Sequence, residues 1–195
     1  HLLTVGLQRG ANVSTRARRE REKRERRRSI LQAAREMFFE SGFHRATVDS
    51  VAERAEVSKG TVYLYFASKE SLLAHLLLEG LDELISELER GFATAADLPA
   101  DEQLRKLALA YLGFFDRDPL YFPFLMAMDR GRFQESVSSE LYEEILEASL
   151  EGLTLAVRVV ERGMDEGVFA CSDPQEAACV FWASLNGVVQ LMEHP

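Results

Sequence analysis

Apolar side chains recur at helical spacing along nearly the whole chain. Ile30, Leu31, Ala34, Met37 and Phe38 share one helix face, and Ser41-Gly42 offers its stop. Thr47 fits the N-cap of a short second helix carrying Val48, Val51, Ala52 and Ala55, which breaks at Glu56-Val57. Ser58 is placed to cap a third helix running to about Tyr65. Ser68, with Glu70 behind it, caps a fourth that carries Leu72, Leu73, Leu76 and Leu77 on to Leu88.

A loop from Gly91 to Pro99 precedes a helix from about Asp101 to Phe115, with Leu104, Leu107, Ala108, Tyr111 and Phe115 on one side. Asp118 and Pro119 read as the N-cap and first position of a short helix ending near Met128, limited by Pro123. One long helix is predicted from about Gln134 to Glu166, locally weakened by Gly152 and Gly163, and Asp173-Pro174 opens the last. No strand-like alternation, internal repeat or Gly/Ser linker interrupts the pattern, so the predicted fold class is all-α.

With 195 residues, 47% of them apolar and 28% charged, the chain can bury a core without disulfides or a structural metal. Two cysteines, Cys171 and Cys179, build no disulfide framework and have no zinc-ligand spacing around them, so no metal or cofactor and a cytoplasmic location are expected. The uncharged run Ala177 to Met192 is too short and too polar to span a bilayer, residues 1 to 7 lack the pattern of a secretory signal, and no membrane partner is expected. The net charge of −9 is unevenly spread. Residues 1 to 70 carry 15 Lys and Arg against 9 Asp and Glu, whereas residues 71 to 195 carry 8 against 23. Such asymmetry suits a module facing nucleic acid joined to an acidic body, although charge runs are often only solvated faces.

Two short helices joined by a tight turn, the second opening on Ser-Lys-Gly-Thr, meet the geometry of a helix-turn-helix. Around them stand Ile30, Ala33-Ala34, Phe38, Gly42-Phe43, Thr47-Val48, Val51-Ala52, Ala55, the run Val57-Ser58-Lys59-Gly60-Thr61-Val62-Tyr63-Leu64-Tyr65-Phe66, Ser68-Lys69-Glu70 and Leu72. Together these residues resemble the DNA-binding domain of the TetR/AcrR family of bacterial transcriptional regulators, over about Ser29 to Leu73. The resulting division is a basic arm over 1–28, partly disordered or extending the first helix, a three-helix helix-turn-helix domain over 29–73, and a helical effector-binding and dimerisation domain over 74–195.

Gly60 lets a backbone approach a phosphate or base edge, and Lys59 supplies a cation where a recognition helix enters the major groove. Thr61 can reach a base, and Tyr63 and Tyr65 suit phosphate oxygens and thymine methyls. Thr47 and Lys69 stand at two further helix N-termini, where unpaired N–H groups attract anions. Ser58 serves as a cap or as a phosphate contact, and Tyr65 as a DNA contact or as part of the small core. The resemblance implies the same DNA-contacting roles for Thr47, Lys59, Gly60, Thr61, Tyr63, Tyr65 and Lys69. Between Arg16 and Arg28 lie nine basic and three acidic residues. This arm either enters a minor groove, tracks the phosphate backbone as an extension of the first helix, or is a solvated helix held by Glu–Arg pairs.

The body holds no nucleophile with its base, no phosphate loop and no paired metal ligands, so no catalytic residue is expected. Its aromatic and thioether residues, Tyr111, Phe114, Phe115, Phe122, Met126 and Trp182, are each either core or candidates for lining a cavity, core being the commoner role, and the resemblance implies a cavity open to a small effector, here expected to be apolar. On the last helix Phe181, Leu185, Val188, Val189 and Met192 offer an apolar face for a second copy of the chain. The function expected is that of a homodimeric, ligand-responsive regulator, a repressor released from a near-palindromic double-stranded DNA operator by a small molecule, with the fourth helix as lever. The alternative is a helical ligand-binding or adaptor protein acting through protein contacts.

Overall fold

A computed structural model of the chain describes residues 3–119, 121–126 and 130–193, with side chains except those of 3–14, 124, 126, 130–132 and 193. Every regular element among the described residues is a helix: α1 (Leu3–Ser41), α2 (Val48–Arg54), α3 (Lys59–Tyr65), α4 (Lys69–Thr94), α5 (Ala100–Arg117), α6 (Tyr121–Met126), α7 (Arg130–Ser136), α8 (Ser139–Asp165) and α9 (Pro174–Glu193). The chain divides into two compact units, residues 1–72 and 73–195. None of the described helices is long and apolar enough to cross a membrane.

In the first unit the apolar stripe of α1 packs on α2, and α2 packs on α3. Ile30, Ala34, Phe38, Val51, Val62 and Phe66 are buried there. Arg54, at the end of α2, grips α1 through Glu40 at 2.6 Å and Glu36 at 3.0 Å. The hydrogen bond from Gln32 and the Arg54 guanidinium hold the Glu36 carboxyl below its usual range, and the same guanidinium does so for Glu40. The arm extends α1: the helix runs back without a break to Leu3.

The second unit packs α5 against α8 and α9, and α8 against α9. Its core holds Leu88, Leu107, Tyr111, Phe114, Phe115, Phe122 and Val159. The glycines of α8 answer to packing. A Cβ on Gly152 would lie 2.6 Å from the Trp182 ring, and one on Gly163 would lie 2.2 Å from Phe169. Arg162 ties the α4–α5 connection to α8 by donating to the carbonyls of Ala96 and Leu98 at 2.8 and 2.7 Å.

Three boundaries differ from the sequence reading. The helix predicted from Gln134 is interrupted, because Ser138 is extended and its hydroxyl accepts from the Leu141 N–H, so α8 starts afresh at Ser139. Pro119 lies in a turn before α6 instead of opening it, with the Tyr121 N–H donating to the Asp118 carbonyl. Helix α4 continues through Gly91 to Thr94. The predicted end of the short helix near Met128 lies outside the described residues.

Candidate nucleic-acid interface

Helix α2 begins in a capping box. The Thr47 hydroxyl accepts from the Ser50 N–H and the Ser50 hydroxyl accepts from the Thr47 N–H, each at 3.1 Å. The helix ends in a Schellman turn: the Glu56 N–H reaches the Glu53 carbonyl and the Val57 N–H reaches the Ala52 carbonyl, with Glu56 at φ 54°. Only residues 55–58 separate α2 from α3. Ser58 then caps α3, its oxygen accepting from the Thr61 N–H at 3.1 Å and lying 2.8 Å from the Thr61 hydroxyl.

On α3, Val62 faces inward, whereas Lys59, Gly60 and Tyr63 are exposed and Thr61 and Tyr65 half-buried. A Cβ on Gly60 would meet only the Ser58 hydroxyl, at 3.8 Å. Nothing inside the fold requires a glycine in that first turn, although glycine is among the weakest helix formers. Leu64, 82% exposed, is equally unsupported by the core. A short helix with lysine, glycine and tyrosine on its open face can enter a groove and let its backbone approach closely.

Two cations of this face already have partners. Lys59 donates to Asp49 at 2.7 Å, and that carboxylate holds the ammonium pKa above its ordinary value. Lys69 donates to the carbonyls of Phe43 and Ala46 at 2.9 and 3.2 Å and sits 4.3 Å above the Phe43 ring. The start of α4 is thereby pinned to the segment joining α1 and α2. Neither pairing was visible in the sequence. Asp49 carries no signal beyond a charge in the first turn of α2, and the Lys69 contacts are tertiary.

The second unit contains a cavity of about 300 Å³ lined by residues of α4, α5, α6, α8 and α9. Of the aromatic residues expected there, Tyr111 and Trp182 line it, with ring centroids 4.8 Å apart. Phe114, Phe115 and Phe122 are buried in the core, where Phe115 stands edge to face with both Phe114 and Phe122. The Met126 side chain lies outside the described residues. From α8, Tyr142, Leu146, Ser149 and Leu153 are among the lining residues, and Asn186 from α9 accepts a hydrogen bond from the Tyr111 hydroxyl, whose pKa burial pushes up. Ser149 and Leu153 lay on the amphipathic pattern of α8, yet periodicity alone does not separate residues facing a void from residues facing core.

On α9 the face expected to meet a second chain is rotated. Leu185 and Val189 are buried in the unit's own core, with Phe181 half-buried against it. The open stripe runs along Val180, Val188, Leu191 and Met192, beside the exposed Ala183, Ser184 and Gly187. Val188 and Met192 therefore keep the position expected of them, and Leu185 and Val189 do not.

Residues 30–76 match the profile described as bacterial regulatory proteins, tetR family. The HTH-type transcriptional activator FasR of Mycolicibacterium smegmatis is 36% identical over 94 residues, 48% of this chain and 42% of that protein. The chain thus matches less than half the length of FasR. The HTH-type transcriptional regulator YfiR of Bacillus subtilis, itself uncharacterized, is 26% identical over 83% of this chain and 77% of its own. The structure of FadR from Bacillus subtilis, solved in complex with stearoyl-CoA, shares the fold with a TM-score of 0.65 at 23% identity, covering 83% of each chain.

Proposed function

We propose that this chain, a TetR-family DNA-binding transcriptional regulator, is a homodimeric repressor released from a near-palindromic operator by a small apolar effector. The DNA-reading part of the proposal rests on one observation above all. Lys59, Gly60 and Tyr63 stand together on the open face of α3, and the core has no use for any of them. In this reading Lys59, Gly60, Thr61, Tyr63 and Tyr65 meet the groove and its phosphates, while Thr47, Ser58 and Lys69 bring helix N-termini to the backbone.

The effector is taken to occupy the 300 Å³ cavity, at the small end of ligand pockets. Its largely apolar walls, with polar groups from the hydrogen-bonded Tyr111–Asn186 pair, Tyr142 and Ser149, suit a molecule with an apolar body and a hydrogen-bonding end. The stearoyl-CoA bound by FadR has an acyl body of that kind. Helix α4 contributes Leu81, Leu84 and Ile85 to the cavity, and the same helix begins at the pinned Lys69. A displacement of α4 by the effector would thus reach the residues preceding α2. The dimer is assigned to the Val180, Val188, Leu191 and Met192 stripe, so that two copies of α3 address half-sites about one helical turn of DNA apart.

The test is selection of bound sequences from a random duplex pool at fixed salt. A two-fold symmetric motif is expected. Lys59→Ala and Tyr63→Ala should each cost about 1–3 kcal/mol of affinity for it. An acyl effector should then weaken the complex. Tightening instead would reverse the sign of regulation, in line with the activator name that FasR carries. Absence of any enriched motif, with both variants unchanged, would leave the adaptor reading in its place.

A further inference from the structure

Helix α1 begins long before the core needs it. Among the side chains described, from residue 15 on, the first buried one is Ile30, yet the helix is continuous from Leu3. Residues 15–26 are all exposed, and the stretch from Arg16 to Arg28 carries nine basic and three acidic side chains. We infer that this stretch is a second, sequence-independent DNA-binding element: a rigid helical arm whose guanidinium groups bind duplex phosphates beside the operator. The inference rests on the DNA-binding reading of α3 and adds a site outside the helix-turn-helix.

The conformation decides between the modes of contact. A helix with side chains is about 10–12 Å across, against a minor groove about 6 Å wide, so residues 16–28 cannot thread that groove as an extended peptide would. Their side chains reach phosphates. Glu and Arg four residues apart, as in the Arg18–Glu22 pair at 2.8 Å, support the helix without neutralising it. The root of the arm is fixed, since the Arg27 guanidinium lies 5.2 Å over the ring of Phe66, the residue that ends α3. From there to Arg16 the helix rises about 16 Å, several phosphate spacings beyond a docked α3. A membrane surface is the poorer occupant, because a helix lying on lipid needs an apolar face and residues 15–26 carry charge on every side. Since the cations surround the helix, only about half can face DNA at once.

The experiment uses the full chain with Arg16, Arg19, Arg21 and Arg24 changed to Gln, and separately to Lys. Arg18 and Arg27 are kept because they are already paired. Dissociation constants are measured on the selected operator and on a mixed-sequence duplex between about 50 and 200 mM salt. Each lost phosphate contact should flatten the slope of log affinity against log salt by about 0.9, giving a decrease of about 2–4 for the Gln variant. The fold-loss should be equal on both duplexes, and the Lys variant should retain the slope. Changing Glu20, Glu22 and Glu25 to Gln must tighten binding to both duplexes, which tests the inference even if the first variant frays. An unchanged slope in the Gln variant, or a loss confined to the operator, would overturn it. If the unaltered chain binds a duplex but the arm variants match it, only the arm fails; if the unaltered chain binds no duplex, the α3 reading and the arm fall together.

Discussion

At the scale of single residues, Gly60 offers the cleanest test of the proposed DNA contact against a folding role. Its Cβ position is open, and alanine is favoured over glycine by up to about 1 kcal/mol within a helix. Gly60→Ala should therefore leave urea stability unchanged or raised by up to that amount while weakening duplex binding, because the new methyl stands where a backbone or base edge would approach. A stability loss above about 1 kcal/mol would make Gly60 structural. Side chains that cap their own helix, such as Thr47 and Ser58, were legible in the sequence, because a hydroxyl and the N–H it accepts from are only three residues apart. The partners of Lys59 and Lys69 were not. Asp49 is ten residues from Lys59, and the carbonyls of Phe43 and Ala46 are more than twenty from Lys69, so each pair exists only once the helices have packed.

At the scale of elements, the chain closes two helices with the same turn and different residues. At the end of α8 the left-handed position is Gly167, at φ 70°, while at the end of α2 it is Glu56, at φ 54°. A side chain there is disfavoured by roughly 1–2 kcal/mol. Glu56 is exposed, so Glu56→Gly should stabilise the chain by up to about 1 kcal/mol, read as a higher urea midpoint at unchanged slope. No gain would mean that the Glu56 carboxylate supports the turn. The break before Ser58 was legible from Glu56-Val57 even without the glycine that usually marks it. The break before Ser139 was not, because the apolar period continues across it and only the Ser138 cap divides the helices. Cavity-lining and core-lining aromatics likewise share one period, which is why the sequence leaves Phe114 and Phe115 open between the core that buries them and the cavity that Tyr111 and Trp182 line.

At the scale of the whole molecule, one helix runs through both units. Helix α4 starts at Lys69, bonded to the segment between α1 and α2, and ends at Thr94, past the cavity-lining Leu81, Leu84 and Ile85. If effector binding shifts α4, linkage demands that operator DNA lower effector affinity by the same factor as the effector lowers operator affinity, typically about 5- to 150-fold. Calorimetric titration of an acyl effector with and without saturating operator measures it, and equal affinities would refute the lever. Lys69 offers the sharper version, because it has two candidate roles that differ in this observable. As a phosphate contact alone, its loss in Lys69→Met would reduce DNA affinity by one factor whether or not the effector is bound, and the coupling would stand. As the pin between α4 and the carbonyls of Phe43 and Ala46, its loss would let α4 move without carrying the segment before α2. The coupling factor should then fall toward one while effector affinity in the absence of DNA stays as it was. The geometry favours the second outcome, since the ammonium already spends two hydrogen bonds on those carbonyls and rests on the Phe43 ring.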